Sequence, residues 1–104
     1  GARGQVEPIR KRAVDEKEVP TVRLAAIEAL GVLCATSALD DVTAFARRAG
    51  TSSAGTSLGL AAKVALGRLH PSDLAARLAP IDKTDPVVRD AVDRALKAPA
   101  ECGR

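Results

Sequence analysis

Residues 85–96, DPVVRDAVDRAL, repeat the pattern of residues 19–30, VPTVRLAAIEAL. Both place a proline two residues before Val-Arg, and both close on Ala-Leu. A third segment, TSLGLAAKVALGRL from Thr56, falls into the same register. Ala29-Leu30, Ala65-Leu66 and Ala95-Leu96 then align, as do Val22, Leu58 and Val88. Self-similarity at a spacing of a few tens of residues is the mark of helical arrays, in which one helix pair per unit cannot cover its own apolar stripe and buries it against the next.

Composition narrows the class further. Apolar residues make up 46% of the 104-residue chain, yet there is one Phe and no Trp or Tyr. Cores of Ala, Leu and Val suit closely packed helices, whereas sandwiches and barrels draw on aromatic and β-branched residues. The chain is long enough for one domain and too short for two. Its formal charge of +3 does not by itself imply a nucleic-acid or membrane partner. No apolar run nears the roughly 20 residues that span a bilayer, and no signal-peptide core is present. The absence of Met and the Gly1-Ala2 start point to a processed form or a slice of a longer chain. The Ala/Arg/Gly-heavy composition suggests a GC-rich bacterial source.

Each repeated segment is preceded by a second helical candidate, at 6–16, 39–49 and 72–82. In the middle one Val42, Phe45, Ala46 and Ala49 recur at helical spacing. Ser37, three residues before Asp40, forms a capping-box pattern. Asp85-Pro86 supplies an N-cap and a first-turn proline. These signals predict three helical hairpins, at about 5–34, 37–69 and 71–98, with a tail at 99–104. The expected core is Leu24, Leu30, Leu33, Leu60, Leu66, Leu69, Leu78, Val88, Val92 and Leu96. Gly31 and Gly67 match in register and predict close helix packing.

Asp85, Pro86, Val88, Arg89, Val92 (in place of the first Ala, or Ala91 beside it), Ala95 and Leu96 carry a match to the pattern Asp-Pro-x-Val-Arg-x-x-Ala-x-x-Ala-Leu. In this the chain resembles the short bacterial HEAT-like repeats, also called PBS-lyase-type repeats. The first segment matches through Pro20, Val22, Arg23, Ala26, Ala29, Leu30, Gly31 and Leu33, with Val19 in place of Asp. The middle segment departs more, with Gly59 in place of the Arg and the longer connection GTSSAGTS. The resemblance implies an all-α, right-handed solenoid of about three hairpins, six helices in all, whose second helices line a concave face. It also implies a non-enzymatic protein–protein interaction scaffold or adaptor, belonging to a longer protein or assembly. The alternatives it carries are an accessory or lyase-type role in chromophore attachment, and nucleic-acid binding by the helical array.

On that face the expected partner-binding residues are Arg23, Lys63, Asp93 and Arg94; Glu28, Val64 and Arg94 form another aligned set. Arg89 is expected to pair with Asp85 or Asp82, since the equivalent arginine in the family stitches neighbouring units. The mixed charges and the lack of stacking aromatics argue against nucleic acid.

No constellation for catalysis is found. His70 is the sole histidine and stands between units, without a nucleophile or paired carboxylates near it in sequence. Asp40 and Asp41 diverge by about 100° on a helix and are poorly placed to share a proton or metal. Arg10-Lys11-Arg12 alternates with acids at helical spacing and reads as a solvated, ion-paired face. The connection 49–57 lacks a phosphate-loop ending and reads as a mobile link. Cofactors and metals are not expected, and the location expected is cytoplasmic. Self-association through exposed stack ends remains open. Cys34 is expected as a buried free thiol and Cys102 as an exposed tail residue, with a bond between them left open.

Overall fold

The computed structural model describes residues 2–47 and 53–102, and all regular structure among them is helical. The elements are α1 (Ala2–Val14), α2 (Pro20–Val32), a 3-10 turn (Thr36–Ala38), α3 (Leu39–Arg47), α4 (Ser53–Leu69), α5 (Leu74–Leu78) and α6 (Pro86–Lys97). Consecutive helices pack as pairs: α1 on α2, α3 on α4, and α5 on α6. Across the pairs, α4 lies between α2 and α6. The molecule measures 39 × 34 × 16 Å. Two helices about 10 Å apart, each with a Cα radius of about 2.3 Å, span about 15 Å, so the slab is two helices thick.

Local chemistry sets the ends of these elements. After α1 the Asp15 carboxylate accepts the Lys17 N–H (2.9 Å) and turns the chain. Pro20 opens α2 at its first turn, where a missing N–H costs nothing. Pro80 follows α5 closely and keeps it to five residues, well short of the 72–82 expected. The Asp82 carboxylate then accepts the Thr84 N–H (3.0 Å), and Asp85 caps α6 by accepting from Val87 N–H (2.8 Å). Ser37 does not cap α3. It sits in the 3-10 turn, which has no side-chain cap, and Asp40 is engaged by Arg77 instead. The expected link at 49–57 is shorter than its composition suggests, because α4 begins at Ser53; residues 49–52 lie outside those described.

Small residues fix the spacing of the α2–α4–α6 row. A Cβ built on Gly31 would stand 2.9 Å from Ala65 Cα, and one on Gly67 would stand 3.0 Å from Ala95 Cα. Real Cβ atoms essentially never come as close to backbone as 2.9 Å, so the α2–α4 crossing requires glycine at Gly31, whereas a methyl group on Gly67 would make Ala95 give by a few tenths of an ångström. One contiguous core runs through the slab, with Ile27, Leu30, Val42, Leu66, Leu78 and Val92 its largest fully buried side chains. Leu69 is buried too, and Leu24 and Val88 pack against this core. Leu96 departs from expectation. It shares the register of Leu30 and Leu66 but is 41% exposed: α6 packs on α4 and α5, and among the described residues no helix packs closely on its other flank.

Cys34 is not a buried thiol. It is exposed and bonded to Cys102, with Cα atoms 5.4 Å apart across 68 residues of sequence. The end of α2 explains its position. Cys34 N–H donates to the Gly31 carbonyl (3.2 Å) and Ala35 N–H to the Leu30 carbonyl (3.0 Å), the pattern that closes a helix on a left-handed residue. Cys34 occupies that left-handed place, at φ 54°, where glycine is usual. Cys102 is part-buried, not free in a tail, and its N–H donates to the Arg68 carbonyl at the end of α4 (3.2 Å). Closing a loop of this length removes about 4 kcal/mol of unfolded-chain entropy in the loop-closure account.

Glycine is ordinarily the poorer helix former by about 1 kcal/mol. Gly31→Ala is nevertheless expected to destabilise the protein by about 1–3 kcal/mol through overpacking on Ala65. Gly4→Ala, on α1 with nothing within 4 Å of the added methyl, should instead stabilise it by about 0.5–1 kcal/mol. Urea denaturation of the two variants measures the difference; equal stabilisation by both would contradict the close crossing.

Candidate protein-docking face

The outer side of the α2–α4–α6 row is an apolar strip bordered by charge. Val32, Val64 and Val87, one from each helix, are 61%, 52% and 59% exposed. Because the helices cross at Gly/Ala contacts, the grooves between them are shallow and floored by small side chains. A depression of about 270 Å³ lies between α2 and α4, lined by Glu28, Val32, Ala61, Val64, Ala65 and Arg68. Another of about 320 Å³ lies between α4 and α6, lined by Leu60, Val64, Val87, Asp90, Ala91 and Arg94. A third, of about 220 Å³, continues toward the C-terminus, where Ala98, Pro99 and Glu101 face Val64, Arg68, Arg94 and Ala95. Val64 is common to all three.

The residues expected to bind a partner divide between surface and interior. Arg94 lines two depressions. Asp93 is exposed but lines none of the three. Arg23 and Lys63 are buried, at 9% and 3% exposure, and are corrected from contact residues to interior ones. Arg23 Nε donates to the Ala13 carbonyl (3.0 Å), one of the last in α1, and its guanidinium lies 5.4 Å from the Phe45 ring centre. It therefore ties α1, α2 and α3 together through a charge-assisted hydrogen bond and a cation–π contact. Among the described residues, Lys63 Nζ reaches the carbonyl of Gly59, one turn back on its own helix (3.3 Å). Burial disfavours its ammonium form and pulls its pKa below the ordinary 10.5.

The Arg89–Asp85 pair does not form: Asp85 spends its carboxylate on the N-cap, and Arg89 is exposed. Stitching between helix pairs is done by other residues, on the opposite layer. Arg10 of α1 reaches Asp41 of α3 (3.2 Å), and Arg77 of α5 reaches Asp40 of α3 (3.1 Å). The two adjacent carboxylates thus point to different neighbours, as the helical geometry requires. Arg77 also pairs with Asp73 (2.8 Å) and holds that carboxyl below its usual range. Arg12 reaches Glu18 (3.8 Å), and Arg10 reaches Glu7 (2.6 Å), so the Arg10–Arg12 run is ion-paired at both arginines. His70 turns the chain after α4 in the left-handed conformation, at φ 46° before Pro71.

Sequence reasoning missed Val32, Val87 and Arg68, and named Val64 only as one of an aligned set. The aligned set Glu28, Val64 and Arg94 carried the signal, since it places one residue from each second helix on this strip. Among the described residues no group of three His, Cys, Asp or Glu could hold a metal ion, and no helix is long and apolar enough to cross a membrane. No protein-family model matches the chain, and neither does any curated protein or solved structure.

The buried amine supplies a test of the interior. The unfolded chain keeps the Lys63 proton up to about 10.5, whereas the folded protein releases it at lower pH. Between those values the unfolded state binds more protons, so raising the pH through that window adds stability. Below the window the full burial penalty is present. Lys63→Met should therefore raise stability by about 1–3 kcal/mol at neutral pH, with the advantage shrinking as pH approaches 10.5. Denaturation curves at pH 7 and pH 10 measure it; a destabilised variant at pH 7 would place the amine in solvent.

Proposed function

We propose that this chain is a HEAT-like stack of three helical hairpins, forming a right-handed solenoid, that acts as a non-enzymatic protein-docking module. The observation that carries the reading is the strip of exposed Val32, Val64 and Val87 across the second helices, bordered by Glu28, Arg68, Asp90 and Arg94. The matched contacts of Gly31 on Ala65 and Gly67 on Ala95 support the stacked arrangement, since both fall at the same register of the aligned segments.

The partner that fits is an amphipathic helix laid across the row. Neighbouring depressions are separated by about one interhelical distance, 8–10 Å, and residues i and i+7 of a helix are about 10.5 Å apart. Two small aliphatic anchors at that spacing would fill the α2/α4 and α4/α6 depressions on either side of Val64. Charged residues of both signs flanking the anchors would meet Glu28 and Asp90 on the one hand and Arg68 and Arg94 on the other. The same mixture of signs disfavours a nucleic-acid backbone, which selects a continuous basic surface. The disulfide bears on location: such bonds persist in oxidising compartments and are lost in reducing ones, so the oxidised chain belongs to the former, and a cytoplasmic setting would hold the reduced one.

Capture from source-cell lysate, with and without nuclease, tests the reading when wild type is compared with two variants. Val64→Lys should lose the captured protein by at least tenfold, and Asp93→Arg, off the strip, should retain it. Loss in Asp93→Arg but not in Val64→Lys would move the site, and capture abolished by nuclease would replace a protein partner with nucleic acid.

A further inference from the structure

The third depression on the docking strip has a wall that is not part of any helix. Ala98, Pro99 and Glu101 form it, and α4 and α6 supply the opposite side through Val64, Arg68, Arg94 and Ala95. Besides the disulfide, this segment is held to the body by the partly buried Cys102, which packs against the core, and by the bond from Ala98 N–H to the Ala95 carbonyl at the end of α6 (3.4 Å). The backbone bond from Cys102 N–H to the Arg68 carbonyl crosses to α4 (3.2 Å), whereas Glu101 N–H bonds within the segment, to Pro99. Cys102 Sγ lies 3.7 Å from the Gly31 carbonyl, and Pro99 and Glu101 are exposed. Ordering residues 98–102 costs more conformational entropy than the two backbone hydrogen bonds to Ala95 and Arg68 return. The covalent tie to Cys34 makes up the difference.

The fully buried side chains of the core belong to the helices and the turn before α3, and the last of them is Ala95. Cys34 is exposed, so a thiol reductant can reach the bond.

We propose that the Cys34–Cys102 disulfide is a redox latch on the docking strip: oxidised, it holds residues 98–102 as a wall of the α4/α6 side; reduced, it frees that wall while the helices stay packed. A dithiol reductant supplies two electrons and two protons, the S–S bond breaks to give the Cys34 and Cys102 thiols, and the dithiol closes to its own disulfide. The regulatory meaning rests on the docking reading above. The structural change does not, and it can be measured without a partner.

NMR order parameters of the full chain, oxidised and after dithiothreitol, test the latch. Residues 98–102 should fall below about 0.6 on reduction while α2, α4 and α6 remain near 0.85. The Cys34→Ser/Cys102→Ser double variant should match the reduced chain under oxidising conditions. A tail equally ordered in both states would overturn the latch, and so would helices that lose order along with it. Val64→Lys capture reports on the docking reading separately, so the failure of one is not mistaken for the failure of the other.

Discussion

The close approach of α2 to α4 and of α4 to α6 governs the rest of this structure. Gly31 on Ala65 leaves no room for a methyl group, and Gly67 on Ala95 would take one only if Ala95 gave by a few tenths of an ångström. Backbones that near one another produce shallow grooves with small side chains on their floors, and a flat row of helices in place of a deep cleft. A surface of that kind is open along its length. It offers an extended face on which another helix can lie. At the third matching position the sequence has Lys97 where the earlier segments have Gly31 and Gly67, so a further helix meeting α6 there could not use the same contact.

The two layers are held by different forces. The α2–α4–α6 row relies on van der Waals packing of small residues. The α1–α3–α5 side is laced by Arg10 to Asp41 and Arg77 to Asp40, and Arg47 Nε also donates to the Arg77 carbonyl (2.8 Å). Exposed ion pairs of this sort contribute little stability each, and here they serve to orient one helix pair on the next. Arg23 joins the layers from inside through the Ala13 carbonyl and the Phe45 ring. The lone aromatic side chain of the protein is thus placed against a buried cation.

Helix positions were legible in the sequence because their signals are local: prolines at first turns, an aspartate before α6, apolar residues at helical spacing. The close crossings were legible too, since Gly31 and Gly67 stand at matching places in an alignment of the chain with itself. The faces of the helices were not. Arg23 and Lys63 look like surface residues because charge usually stays in water, and only the tertiary placement of Ala13 and Phe45 gives Arg23 an interior partner. Lys63 has one long hydrogen bond among the described residues, to its own helix, and no sequence pattern announces a buried amine of that kind. Cys34 looked apolar because it follows an apolar helix, yet the left-handed turn after Val32 carries it outward to Cys102, a pairing that depends on how the chain closes over 68 residues. Val32 and Val87 of the proposed docking strip were hidden for the converse reason: on an apolar helix, exposed and buried valines have the same spacing signature.

The measurement that bears most directly on this account is a NOESY spectrum of the oxidised chain. Strong cross-peaks are expected from the Gly31 α-protons to the Ala65 methyl and from the Gly67 α-protons to the Ala95 methyl, with similar intensity for both pairs. If either pair is missing while the helices themselves are intact, the second helices do not form one continuous row, and the docking strip built upon that row does not exist.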